Sequence, residues 1–132
     1  MNLGSKSRKG FITGGTWCAD HNKLVRDWPK EEEVVEIIEE HVRGGGSACN
    51  LAFDLKCLDP SIPVSTIGLV GEDEDGRLLF QKALEVGLET AALRTTNFLK
   101  TQRTDAYTAS SSGRRTHLYF AGTAAHLTPD HF

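Results

Sequence analysis

The residues of this chain that could do chemistry fall in three short runs. Arg43-Gly44-Gly45-Gly46-Ser47-Ala48-Cys49-Asn50-Leu51-Ala52 delivers a glycine cluster to a helical pattern whose first turn carries an asparagine. Glycines let the backbone approach a ligand and present its amides, and a helix start adds positive potential. Upstream, Asp20 stands in Gly15-Thr16-Trp17-Cys18-Ala19-Asp20-His21. A carboxylate offers several acceptor sites at one point, and an amide both donates and accepts. Downstream, Gly68-Leu69-Val70-Gly71-Glu72-Asp73-Glu74-Asp75-Gly76 crowds acids between glycines.

Spacing alone leaves other roles open: a tight strand-to-helix turn for the glycines, a backbone cap for Asn50, a surface turn for Asp20. Several chemistries fit poorly. A Walker-type phosphate loop needs a lysine that Gly46-Ser47-Ala48 lacks, and no GxGxxG fingerprint is present. The acidic run has no twelfth-position glutamate in a calcium-loop register, so it reads as a turn and helix cap. Cys18, Cys49 and Cys57 form no metal-type pair and read as buried or neutral thiols. The five histidines have neither HxxxH nor HxH spacing, so no metal site is expected.

The elements that must hold these residues alternate. Residues 10–18 read as a buried first strand whose end is closely approached, and 21–26 as a further extended piece ended by Trp28-Pro29. Residues 31–43 carry a helical stripe, yet their aliphatic residues are all β-branched. Residues 47–58 predict a helix with Ala48, Leu51, Ala52, Leu55 and Leu58 inward. A buried strand over 62–70 and a helix from Asp75-Gly76 to Val86, closed by Gly87, follow. Strand, helix, strand, helix signals an α/β fold with a parallel sheet. Residues 104–110 and 115–121 read as a hairpin around Ser111-Ser112-Gly113-Arg114. Leu127-Thr128-Pro129-Asp130 announces a helix that the chain ends without delivering, which reads as truncation.

At 132 residues the chain is long enough for one domain with a core. A net charge of -3 and pI near 5.9 give no footprint for nucleic acid. The cluster Lys6 to Lys9 falls in a tail, residues 1–9, expected to be flexible. No apolar stretch approaches the roughly 20 residues of a bilayer span. Residues 1–9 lack the apolar centre of a secretion signal, so no membrane partner and a cytoplasmic location are expected.

The three runs together resemble the amino-terminal signature of the ribokinase-like (PfkB-type) carbohydrate kinases. In that family a Gly-Gly pair, three residues and an asparagine form one wall of the sugar site. Gly45, Gly46 and Asn50 match those positions. Asp20 matches the aspartate that accepts from two sugar hydroxyls at the end of the family's first strand. Cys18 stands where ribokinase has asparagine, a departure that bears on ribose specificity. Residues 68–76 resemble the family's Gly-x-x-Gly-x-Asp-x-x-Gly segment, and Gly122-Thr123-Ala124-Ala125 its Gly-Ala-Asn-Ala run with alanine for asparagine. Thr104, Tyr107 and Tyr119 fall where the family has strands near the site.

The resemblance implies part of a doubly wound α/β sheet with a small β-sheet lid. Lid strands are expected around 21–43, which assigns the ambiguous segment to strand, and around 104–121. It implies that residues 10–132 are the sugar-binding part of an ATP-dependent kinase acting on a sugar or nucleoside hydroxymethyl group. ATP and Mg2+ would serve the complete enzyme and bind this portion poorly. The family's catalytic aspartate sits in a Gly-Ala-Gly-Asp motif absent here, so no catalytic residue is assigned and the chain alone is expected to be inactive. A homodimer through the lid is a further implication, and a stand-alone sugar-binding or lid-pairing module is the alternative.

Overall fold

Apolar runs alternating with amphipathic ones produce two sheets and two helices in the computed structural model, which describes residues 9–131. Strand β1 (Phe11–Gly14) leads into β2 (Cys18–Val25) and β3 (Ile37–Gly45). Helix α1 (Ser47–Leu58), strand β4 (Val64–Gly71), helix α2 (Glu74–Glu85) and strand β5 (Glu89–Thr96) follow. Then come β6 (Gln102–Ala109), β7 (Arg115–Phe120) and short 3-10 turns at Gly122–His126 and Pro129–His131. Apart from Lys9, the tail expected over 1–9 lies outside the described residues.

The first sheet is parallel, in the order β1-β4-β5. Parallel neighbours need crossovers, and α1 and α2 supply those after β3 and β4. Both helices pack into one core with Trp17, Val64, Val70, Leu88 and Leu93. Trp17 donates its indole N–H to Thr66 Oγ1 at 3.2 Å, which satisfies the one polar atom of a buried ring. A methyl on Gly68 would meet Trp17 Cδ1 at 2.5 Å, so that glycine makes room for the ring.

The second sheet runs β3-β2-β6-β7, with β2 parallel to β6 and both outer pairs antiparallel. Residues 18–25, 37–45, 102–109 and 115–120 thus form the small β-sheet expected beside the α/β body.

Three local expectations are corrected. The first strand ends at Gly14 and is not buried: β1 is an edge strand, and Ile12 is 72% exposed. Strand β3 begins at Ile37, because Pro29 and the acidic stretch after it turn the chain and Glu32 takes a left-handed φ of 66°. Helix α1 spans the expected residues, yet Leu51 and Leu58 face solvent and Cys49 faces the core. Its packing stripe consists of the small side chains Ala48, Cys49 and Ala52, which let the helix lie close to β4.

Helix α2 ends as expected. Gly87 at φ 75° donates to the Leu84 carbonyl at 3.0 Å and Leu88 to that of Ala83 at 3.0 Å, a Schellman closure. No helix among the described residues is long and apolar enough to cross a membrane.

Candidate functional site

Strand pairing puts the outer face of the second sheet in rows. Gly45, Cys18 and Gln102 share one row; Arg43, Asp20, Thr104 and Tyr119 the next. His41, Asn22, Ala106 and His117 form the third, and Glu39, Leu24, Thr108 and Arg115 the fourth. Asp20 is therefore flanked by Arg43 on one side and Thr104 on the other.

Asp20 is half-buried and held from beneath. Its Oδ1 accepts from the Cys18 thiol at 3.4 Å, and the same sulfur lies 3.5 Å from Thr104 Oγ1. Asn22 Nδ2 donates to the Asp20 carbonyl at 3.1 Å. The carboxylate leans over Gly45: a methyl there would stand 2.2 Å from Asp20 Oδ2. Gly45 needs no unusual φ, so its missing side chain is the space that the carboxylate occupies. No cation lies within ion-pair distance of Asp20 among the described residues, which leaves it free to accept from hydroxyls.

Gly46 has a different reason to be glycine. Its φ is 93°, and a methyl would meet the Thr16 carbonyl oxygen at 2.4 Å. It turns the chain into α1, whose first amides are taken by the loop before β2. Ser47 N–H donates to Thr16 Oγ1 at 3.2 Å and Ala48 N–H to the Thr16 carbonyl at 3.2 Å. Gly15, at φ 142°, leaves room for Ser47 Oγ, which a methyl would meet at 2.5 Å. The helix start thus ties two loops together instead of presenting every amide to a ligand.

Asn50 is exposed on the first turn of α1, and its side chain forms no hydrogen bond among the described residues. It lines a cavity of about 210 Å³ with Arg43, Gly44, Cys49, Phe53 and Lys82. The fold brings Asp20 against Gly45, and Asn50 lines a cavity whose lining includes neither of them.

Residues that sequence reasoning passed over complete the picture. Gln102 Oε1 is buried, with no hydrogen-bond partner among the described residues, one row from Asp20. Cys18 and Cys49 are buried, and burial first, with Asp20 adding to it, pushes both thiols up to about 12. They are neutral packing groups at working pH. Cys57, by contrast, is exposed.

Asp73 caps α2, as the turn signal predicts. It accepts from Gly76 N–H at 2.9 Å, Thr101 Oγ1 at 2.6 Å and Thr101 N–H at 2.8 Å. Burial pushes its carboxyl up, but these bonds outweigh that and hold it below the usual carboxylate range.

No protein-family model matches the chain, and a search of curated proteins likewise finds no match. Solved structures do match. The nucleoside kinase of Methanocaldococcus jannaschii, an archaeal member of the ribokinase family, aligns over 90% of this chain at TM-score 0.80 and 18% identity. Ribokinase from Thermotoga maritima aligns over 88% at 0.77 and 21%. Arabidopsis thaliana ribokinase, complexed with ribose and ATP, aligns over 87% at 0.76 and 24%.

The fold is ribokinase-like.

The chain spans 36–39% of the length of those three structures. Within the ribokinase-like fold, the crossover from β3 through Gly46 into α1 is what sets Asp20 and Gly45 at the junction of sheet and body.

Proposed function

We propose that this chain supplies the acceptor-sugar side of an ATP-dependent carbohydrate kinase that phosphorylates a hydroxymethyl group of a sugar or nucleoside. The observation that carries the reading is the Asp20 carboxylate, without an ion-pair partner among the described residues and seated in the space that Gly45 leaves open. Asp20 accepts from sugar hydroxyls, Gly45 and Gly46 form the adjoining wall, and Asn50 contributes its amide from the helix. Closing the small sheet over the sugar would exclude water from the transfer.

ATP and Mg2+ belong to the complete reaction. The described residues hold no cluster of metal-ligating side chains, and the α1 amides taken by Thr16 do not fit a phosphate cradle.

Titration calorimetry with ribose, fructose, glucose and adenosine tests the reading on the 132-residue chain. Binding by one of them that falls at least tenfold in Asp20→Asn, without a change in melting temperature, supports it. Equal affinity in both proteins would remove Asp20 from the site.

A second reading, a homodimer joined through the small sheet, is favoured by Leu118, Tyr119 and Phe120, all exposed on the edge strand β7. Sedimentation velocity on the wild type and on Tyr119→Asp should then give a dimer and a monomer. A monomer in both excludes it.

A further inference from the structure

The two faces of the small sheet treat charge differently. On the inner face cations and carboxylates are paired: His21 with Asp75 at 2.8 Å and Glu40 at 3.7 Å, Lys23 with Glu40 and Asp105, Arg103 with Asp105 at 3.1 Å. These five are all the ion pairs found among the described residues. On the outer face, which carries Asp20, Arg43 and Arg115 have no carboxylate within ion-pair distance among the described residues. His41 and His117 stand on the row between them.

Asn22, His41, Arg43, Thr108, Arg115 and Glu39 line one open cavity of about 370 Å³, and Glu39 is the single carboxylate in its lining. Guanidinium groups stay charged at working pH, and their planar donor forks match the oxygens of phosphate or carboxylate. The cavity begins beside Asp20, since Arg43 is its direct cross-strand neighbour. Strands lie about 4.8 Å apart and same-face residues along a strand about 6.7 Å apart. A ligand whose hydroxyls reach Asp20 would therefore bring a substituent one sugar ring away within reach of Arg43 and His41, with Arg115 closing the far side.

We infer that the acceptor is an anionic sugar, one bearing a phosphate ester or a carboxylate, and that Arg43, His41 and Arg115 hold the charged group. This rests on the reading of Asp20 as the sugar-hydroxyl acceptor. The anion supplies the partner that the two arginines lack, while the rest of the ring stays with Asp20.

The test is calorimetric titration of the 132-residue chain with glucose, fructose, glucose 6-phosphate, fructose 6-phosphate, glucuronate and inorganic phosphate. The proteins compared are wild type, Asp20→Asn and the double variant R43Q/R115Q, with folding checked by circular dichroism. At least one charged sugar should bind tenfold or more tightly than its neutral parent. In R43Q/R115Q that ratio should fall towards one. A preference for the phosphate esters over glucuronate, or the reverse, decides which anion is meant. Neutral sugars bound as tightly as charged ones, with loss in Asp20→Asn, would overturn the inference and leave the sugar reading intact. Binding of phosphate alone, lost in R43Q/R115Q and indifferent to Asp20→Asn, would overturn the sugar reading and with it the inference of an anionic sugar. No binding of any probe overturns both.

Discussion

At the scale of single residues, Gly45 and Gln102 separate binding from folding. In Gly45→Ala the new methyl would have to displace the Asp20 carboxylate, with no backbone strain at that position. On the proposed reading, sugar affinity should drop about tenfold, the equivalent of about 1.4 kcal/mol, while the melting temperature moves by only a few degrees. Calorimetry and a thermal melt on the same preparation check this; unchanged affinity would mean that Asp20 does not read the ligand. Gln102 gives the opposite signature. Removing a buried acceptor that has no partner among the described residues relieves a desolvation cost, so Gln102→Leu should melt at or above the wild-type temperature. If Oε1 receives a ligand hydroxyl, the same variant binds sugar more weakly. A variant that is destabilised and binds normally would make Gln102 a structural residue.

At the scale of elements, Asp73 shows how one acid in a turn fastens two segments. It caps α2 and holds Thr101 at the entry to β6, and Thr101 Oγ1 accepts from Gly71 N–H at 2.9 Å. Asp73→Ala should cost about 2 kcal/mol, the upper range for a lost cap with a polar partner left behind. The dependence on pH follows from the sign of the shift. Hydrogen bonds hold the folded carboxyl low against the upward push of burial, so its stabilisation is fully present above the unfolded value of about 3.9. It is lost as pH falls through the lower folded value. Urea midpoints of wild type and Asp73→Ala should differ at pH 7 and converge in acid; a gap that stays constant would contradict this.

The spans of both helices, strand β4 and the β6–β7 hairpin were legible in the sequence, because glycines and prolines punctuate them; strand β5 was given no range of its own. The ends of β1 and β3 were not legible. The first lies on a sheet edge, where an apolar residue such as Ile12 stays in the open, and the second follows a turn hidden inside an apparently helical stripe. The stripe of α1 misled for a packing reason, since close approach to β4 selects Ala48, Cys49 and Ala52 over the larger leucines. Asp20 and Gly45 were each visible as residue types. That they touch is a property of strand register, which a single sequence does not display.

At the scale of the whole molecule, the small sheet joins the body through apolar packing of Ala19 and Val42 on the core, through Thr101 on Asp73, and through a polar bond across the seam. His21 on β2 meets Asp75 on α2 at 2.8 Å, and from there charges continue through Glu40, Lys23 and Asp105 to Arg103. Breaking the bond with His21→Ala should loosen the sheet by about 1 kcal/mol. Hydrogen exchange should then quicken in β2 and β3 and stay unchanged in α1 and β4. Uniform quickening across all four would mean that the bond supports the entire fold and not the seam.

The thiols have a practical consequence. Two of the three cysteines are sealed and held in the unreactive protonated form, while Cys57 alone lies open, near the end of α1. At neutral pH a maleimide dye should attach once per molecule, and three times after denaturation. Trp28, exposed in the β2–β3 connection and edge-on to Tyr107, belongs to the small sheet. With Trp17 in the core as a fixed background, the unmutated chain thus carries an optical ruler between body and small sheet, on which movement of one against the other would register as a change in energy transfer.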